Sequence, residues 1–293
     1  MKATGRLLEL AVWCSMCSQF ECDPVMSDLL HSMMAISREA GAAILDIYGE
    51  DDFGIELKDD DSPLTRADLA AHQIIVSGLE KLAPDIPILS EESESIDYDT
   101  RRQWNRYFLV DPLDGTKEFI NRNGEFTVNI ALIDDGVPVL GVVFVPVKDV
   151  LYAGNQLDDP CAFLIVDGRT TVINSRAIDK NQALALVASR RHGGEATSSF
   201  IANLTPHFPD IETTNMGSSL KLCLVASGEA DIYPRLAPTS EWDTASAQAV
   251  VEAAGGVVLD LSLKPLRYNT KADILNPHFL VLGDAGFEWS AIL

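Results

Sequence analysis

The sequence predicts an α+β chain in two parts: a largely antiparallel sheet backed by helices, then a half in which strands and helices alternate. Three observations carry this. Two long segments near the start repeat their apolar residues on a helical period, a run of short extended segments joined by turn residues follows, and beyond residue 173 apolar strands alternate with helix-like stretches. The pattern changes near Thr170 to Ser175. The expected division is therefore an extension over 1–25, disordered or an artefactual start, an N-terminal α+β part over 26–172 and a C-terminal α/β part over 173–293.

From Ser27 to Tyr48, Leu30, Met33, Met34, Ala40, Ile44 and Ile47 fall on a helical period, with Ser27 placed to cap the helix and Gly49 to stop it. Gly54 to Asp61 reads as a short strand running into an acidic turn that contains Lys58. Thr65 to Leu82 is a second amphipathic helix through Leu69, Ile75, Leu79 and Leu82, closed by Pro84, with Asp68 in its first turn. Extended segments follow at Ile88 to Ser90, Tyr107 to Val110, Phe126 to Ile133 and Val139 to Val145, the last pair joined through a hairpin at Asp134-Asp135-Gly136. In the second part strands at Leu184 to Ala188, Ile232 to Tyr233, Val257 to Leu259 and Phe279 to Leu282 alternate with helices at Ser198 to Leu204, Ser219 to Ala226 and Thr244 to Ala254.

Composition narrows the function. Of 293 residues 47% are hydrophobic and 23% charged, a globular balance, and charges or prolines interrupt each apolar run before the roughly 20 residues needed to span a bilayer. Forty-four acidic against 22 basic residues give a formal charge of −22, which repels nucleic acid polymers and anionic membranes. An anionic substrate then needs a local positive centre, and divalent cations among carboxylates provide one. The five cysteines make no disulfide framework; Cys14 and Cys17 have the spacing of half a zinc site but no second pair, so free thiols and a cytoplasmic location are expected.

Three acidic motifs sit at element junctions. Ser90-Glu91-Glu92-Ser93 follows a short strand, where sites tend to form, although solvated loop acids look the same. In Val110-Asp111-Pro112-Leu113-Asp114-Gly115-Thr116 the proline locks the chain so that Asp111, Asp114 and the Leu113 carbonyl converge as hard oxygen ligands, while Gly115 and Thr116 offer N–H groups to an anion. An Asp-capped turn without metal is the plain alternative. Glu241-Trp242-Asp243-Thr244 precedes an apolar helix, and taken alone Asp243 reads as an N-cap. Taken together, Glu91, Asp111, Asp114 and Asp243 suffice for two metals sharing Asp111, a design for in-line displacement at phosphate.

These motifs resemble the lithium-sensitive, magnesium-dependent phosphatase superfamily that includes inositol monophosphatase and fructose bisphosphatase. Within it, the run from Asp111 to Ile133, with Lys117-Glu118-Phe119 in place of Thr-Asn-Phe, looks like the 3′(2′),5′-bisphosphate nucleotidases of bacterial CysQ type. The resemblance implies a layered αβαβα sandwich and two to three Mg²⁺ ions. Glu91, Asp111 and the Leu113 carbonyl would hold the first ion, Asp111, Asp114 and Asp243 the second, and a weaker third would lie near Glu91 and Asp68. Asp68 and Thr116 would form the catalytic pair that orients and deprotonates the attacking water. The backbone of Asp114, Gly115 and Thr116 would grip the scissile phosphate. The implied reaction removes the 3′-phosphate of adenosine 3′,5′-bisphosphate, and in some members that of its sulfated precursor, a task tied to sulfate assimilation. Relatives are reported at the cytoplasmic face of the inner membrane; a charge of −22 argues against strong electrostatic attachment here.

The substrate's second phosphate needs its own partners. Gly217, Ser218, Ser219 and Lys221, in a glycine turn that opens a helix, are one candidate set. Arg190 and His192, after a strand, are another, and Lys117 adjoins the scissile position. The stretch NQLDDPCAF over Asn155 to Phe163 departs from the Gly-x-x-Ala-Trp of many relatives, so a differently shaped loop is expected there. The alternatives are an inositol-phosphate or sugar-phosphate phosphatase, with which Lys117-Glu118 is discordant, and a non-catalytic acidic metal buffer.

Overall fold

The computed structural model describes residues 27–58, 63–157, 159–189 and 194–293. The expectations for 1–25 and for Cys14, Cys17, Arg190 and His192 therefore lie outside the described residues. Helix α1 (Asp28–Tyr48) starts where the Ser27 hydroxyl accepts the Leu30 amide and buries Leu30, Met33, Ala40 and Ile44. Strands β1 (Glu56–Leu57) and β2 (Pro63–Leu64) pair antiparallel, so the strand expected over Gly54 to Asp61 is two residues long in its described part. Helix α2 (Arg66–Leu82) opens on a reciprocal cap between Thr65 and Asp68. Its buried face runs through Ala67, Ala71, Ile75 and Leu79 at steps of four, which turns Leu69 outward; the structure corrects that position from core to surface.

A seven-stranded sheet follows in the order β3 (Ile88–Ser90), β4 (Arg106–Asp114), β5 (Thr127–Asp134), β6 (Val137–Val145), β7 (Val150–Asn155), β8 (Cys161–Val166) and β9 (Arg169–Ile173). Only β3 and β4 run parallel; every other pair is antiparallel. The β5–β6 turn places Asp135 at φ 47° and Gly136 at φ 76°, the left-handed pair that a two-residue hairpin uses. Strand alternation splits the sheet's side chains: Phe108, Val110, Val128 and Ile130 join the core under α1 and α2, while Tyr107, Leu109, Ala131 and Ile133 face the opposite side.

That opposite side is covered by α6 (Leu220–Ala226) and α7 (Ala245–Ala253). Gly141 and Gly154 let α7 lie directly on β6 and β7, since a Cβ on Gly141 would stand 2.0 Å from the Ser246 carbonyl oxygen. Beyond these helices lies a five-stranded sheet ordered β11 (Ile211–Met216), β10 (Leu184–Ser189), β12 (Ile232–Arg235), β14 (Phe279–Leu282) and β13 (Val257–Asp260). Its outer face buries Leu184, Leu186 and Leu280 against Leu204 at the end of α5 (Glu195–Leu204). Helices, sheet, helices, sheet and helix stack in that order, an αβαβα layering of the α+β class. The short helices α3 (Tyr98–Arg101) and α4 (Thr116–Ile120) fill connections around β4.

Candidate active site

The parallel pair β3 and β4 ends on one edge of the large sheet, which brings Glu91 and Asp111 to the same place; the Glu91 amide donates to the Val110 carbonyl at 3.1 Å. Asp111 pairs with Asn129 and Asp114 with Thr127, so three steps on β4 face two on β5. Pro112, which has no N–H to give, sits in the resulting bulge. The Asp111 carboxylate closes the bend by accepting the Leu113 amide at 3.0 Å. Asp243 arrives from the other half on a 3₁₀ turn, Glu241–Asp243, capped at Ser240. One of its oxygens accepts the Thr239 hydroxyl and, at 2.9 Å, the Ser240 amide. The turn is tied down by Glu241, whose carboxylate accepts the Asn269 amide at 2.9 and 3.1 Å.

Glu91, Asp111 and Asp243 each bring a carboxylate oxygen to within 4.8 Å of the others. Three hard oxygen donors at that spacing suit a divalent cation such as Mg²⁺. Without one they carry an electrostatic burden. Burial, then the charges of Glu91, Asp114 and Asp243, lift the Asp111 carboxyl well above the usual range. Burial, with the charges of Asp114 and Glu91, pushes Asp243 up to about 7. Burial also raises Glu91, partly offset by Lys58. Asp114 lies outside this trio but close enough for its charge to act on Asp111 and Asp243, and its Oδ2 accepts both the amide and the hydroxyl of Ser219, each at 2.6 Å.

Asp68 is 2% exposed and reaches the cluster from the first turn of α2. Its Oδ2 accepts the Thr65 amide at 2.7 Å and the Thr65 hydroxyl at 2.6 Å, leaving Oδ1 to accept the Thr116 hydroxyl at 3.2 Å. Thr116 also lies 3.4 Å from the Leu113 carbonyl oxygen, so helix cap, strand bulge and α4 meet at one hydroxyl. Burial raises the Asp68 carboxyl against the hydrogen bonds from Thr65. Gly115, at φ 95°, makes the left-handed turn that starts α4, where a side chain would press on the Glu125 carbonyl 3.2 Å away.

Beside the carboxylates opens a cavity of about 130 Å³ whose walls include Asp114, Gly115, Gly217, Lys221, Arg235 and Asp243. Gly217 gives its amide to the Glu125 carboxylate at 2.8 Å, and Ser218 takes φ 42° to turn the chain into α6. Ser219, only 1% exposed, has its hydroxyl 2.6 Å from both the Asp114 carboxylate and the Asp243 carbonyl, either of which can take its one proton, and accepts the Asn129 side-chain amide at 2.9 Å. It braces the two halves of the site rather than pointing a hydroxyl into the cavity, and it makes no side-chain cap for α6. Lys221 donates to the Ser218 carbonyl, and burial pushes its ammonium down to about 8. Lys117 and Ser189 line the same cavity.

Three side chains here went unassigned in the sequence. Arg235 ends β12 and faces the cavity while donating to the Ala237 and Pro238 carbonyls. Its place just after Ile232 to Tyr233 repeats the strand-end position that marked the acidic motifs. Thr239 serves Asp243 through a hydrogen bond that no spacing rule reveals. Lys58, visible within its acidic turn but given no role, ion-pairs with Glu91 at 2.8 Å and Glu92 at 2.6 Å.

This fold and site define a phosphatase class. The profile of the inositol monophosphatase family matches residues 26–283, and the chain belongs to that family. Within it, the chain is similar to the protein named 3′(2′),5′-bisphosphate nucleotidase CysQ of Shigella flexneri, at 47% identity over 257 residues covering 86% of this chain and 99% of that one. The crystal structure of CysQ from Bacteroides thetaiotaomicron superposes with a TM-score of 0.76 at 42% identity, covering 87% of this chain and 96% of that chain. The extragenic suppressor protein suhB from Bartonella henselae follows with a TM-score of 0.72 at 26% identity, covering 88% and 95%.

Proposed function

We propose that this chain is a Mg²⁺-dependent 3′(2′),5′-bisphosphate nucleotidase that hydrolyses the 3′-phosphate of adenosine 3′,5′-bisphosphate to AMP and phosphate, with activity also on the sulfated precursor. The observation that carries the reading is the meeting of the Glu91, Asp111 and Asp243 carboxylates beside the hydrogen-bonded pair Asp68 and Thr116. Similarity to CysQ nucleotidases supports the substrate, and with it a role in recycling the nucleotide by-product of sulfate assimilation.

Glu91, Asp111 and Asp243 are the residues that would hold the ions, with Asp114 and the Leu113 carbonyl close by. When bound, the ions supply Lewis-acid stabilisation of the charge that develops on the attacking and leaving oxygens. The chain's own residues do the rest. Thr116 accepts a hydrogen bond from the attacking water when its own proton is given to Asp68 Oδ1, which orients the water and gives its proton a destination. Burial, by raising the Asp68 carboxyl, makes it a better proton acceptor than an exposed aspartate. The backbone N–H groups of Asp114, Gly115 and Thr116 would grip the scissile phosphate. Lys221 and Arg235 offer positive charge for the second phosphate across the cavity. A site this acidic suits a small polyanion delivered with cations, and no described helix is long and apolar enough to cross a membrane.

The test is phosphate release with Mg²⁺ from adenosine 3′,5′-bisphosphate, its sulfated form, inositol 1-phosphate and fructose 1,6-bisphosphate. The nucleotides are expected to turn over fastest; faster hydrolysis of the inositol ester would overturn the assignment.

A further inference from the structure

We propose that Lys58 is a tethered cation standing at a third cation position of the carboxylate cluster, so that a divalent ion reaches that position only by displacing the lysine. The inference rests on the metal-dependent reading of the same site. Resemblance to the family placed a third, weaker ion near Glu91 and Asp68. The structure places the Lys58 ammonium there, 2.8 Å from Glu91 Oε1, 2.6 Å from Glu92 Oε1, and close enough for its charge to act on Asp68. Among the described residues, Lys58 is the one lysine or arginine ion-paired with the trio of Glu91, Asp111 and Asp243.

The physical consequence follows from charge. An ammonium and a divalent ion cannot share the same face of Glu91 without repelling each other. Lys58 has a flexible four-carbon stem and a second anchor in Glu92, so it can give up Glu91 and keep one carboxylate partner. Displacement then exchanges one cation for another at Glu91 and leaves no buried charge unpaired. An ion held by Asp111, Asp114 and Asp243 uses no Glu91 oxygen and does not meet this competitor directly. Lys58 therefore sets the affinity of the weakest ion, and in the ion-free protein it relieves part of the repulsion among the acids.

Calorimetric titration of the ion-free full chain with Mn²⁺ and Mg²⁺ tests this, comparing wild type with Lys58→Met, Lys58→Gln and Lys81→Met. The last makes the same charge change in the closing turn of α2, about 20 Å along the helix from Asp68. Lys58→Met and Lys58→Gln are expected to bind the weakest ion about tenfold more tightly, an effect of the size that outer contacts exert on metal affinity. Both should also melt lower than wild type without ions, and Lys81→Met should leave both readouts unchanged. Unaltered or weaker ion binding in both Lys58 variants would overturn the proposal while leaving the metal site standing. Should Lys58→Met not fold, Lys58→Gln, which keeps hydrogen-bond donors for both carboxylates, decides alone. A wild-type protein that binds no divalent ion would overturn the metal reading and this proposal with it.

Discussion

The two sides of the site meet the same physical problem with opposite charges. On one side Glu91, Asp111 and Asp243 crowd together, and burial with mutual repulsion drives Asp243 up to about 7. On the other, Lys221 is 6% exposed and burial drives it down to about 8. A poorly hydrated interior disfavours whichever form is charged, so both sides are pushed toward neutrality. The difference shows how each is meant to be filled. Under the proposed function the carboxylates would take cations, and the ammonium, with Arg235 beside it, would take an anion. A phosphate ester arriving with divalent ions would satisfy both at once, and Ser219, in the turn that carries Lys221, ties that turn to the acidic side through its amide on Asp114 and its hydroxyl on the Asp243 carbonyl.

The sharpest way to break this contrast is to neutralise the acidic side. Asp111→Asn removes the most crowded carboxylate while keeping its shape and a hydrogen-bonding side chain in the bulge. Turnover should fall by about a thousandfold or more, the scale on which loss of a transition-state electrostatic partner is felt. Stability of the ion-free protein should not fall in proportion, because the removed charge is one that burial and Glu91, Asp114 and Asp243 all oppose. Steady-state kinetics beside thermal melting checks both. An active Asp111→Asn enzyme would refute the metal assignment, and an inactive one that is also unfolded would show that Asp111 is structural.

Much of the acidic side was legible because its carboxylates come from short motifs at strand and helix ends. Pro112 between two aspartates announces a bend, and the structure realises it as a bulge. Lys221 stood in a readable glycine turn. Other features were hidden because they depend on pairing across long sequence separations. Nothing local says that Ser219 gives its amide to Asp114, 105 residues away, or that Arg235 faces the cavity. Strands β7 and β8 were missed for a different reason. Val150–Asn155 and Cys161–Val166 lie in the middle of an antiparallel sheet that is covered along much of both faces, so their apolar runs lack the alternation that marks a half-exposed strand. Leu69 shows the reverse error: an apolar residue on a helix is not on its buried face unless the spacing puts it there.

Removing charge from the cationic side should cost less and be selective. Lys221→Met keeps the length and apolar stem that pack over Tyr233, where the ammonium lies 5.6 Å from the ring centre. For adenosine 3′,5′-bisphosphate, kcat/KM should drop by about thirtyfold, the range for truncating one partner of a buried charge pair. The loss should appear in KM more than kcat. For adenosine 3′-phosphate, which lacks the second phosphate, the change should be small. Equal losses on both esters would mean that Lys221 supports the fold or the scissile phosphate and not the second anion.

The smallest expected effect, a shift of a few degrees in melting temperature, distinguishes the sides most directly, because the two titrate with opposite signs. Asp243 is raised from 3.8 to about 7 on folding without ions, so the folded state binds the extra proton. Its contribution is complete below pH 3.8 and is lost as pH rises through 7. Lys221 is lowered from 10.5 to about 8, so here the unfolded chain binds the extra proton, and the contribution present above pH 10.5 is lost as pH falls through 8. Relative to the matched variants, the ion-free protein should lose stability from pH 4 to 7 and regain it from pH 8 to 10.5. Asp243→Asn should flatten the acid limb only in part, since Glu241, pushed up to about 7 by burial, contributes with the same sign. Lys221→Met should flatten the basic limb alone. Saturating Mg²⁺ should abolish the Asp243 share of the acid limb, because a carboxylate that holds a cation does not take up a proton; an acid limb unchanged by both Mg²⁺ and Asp243→Asn would remove Asp243 from the site.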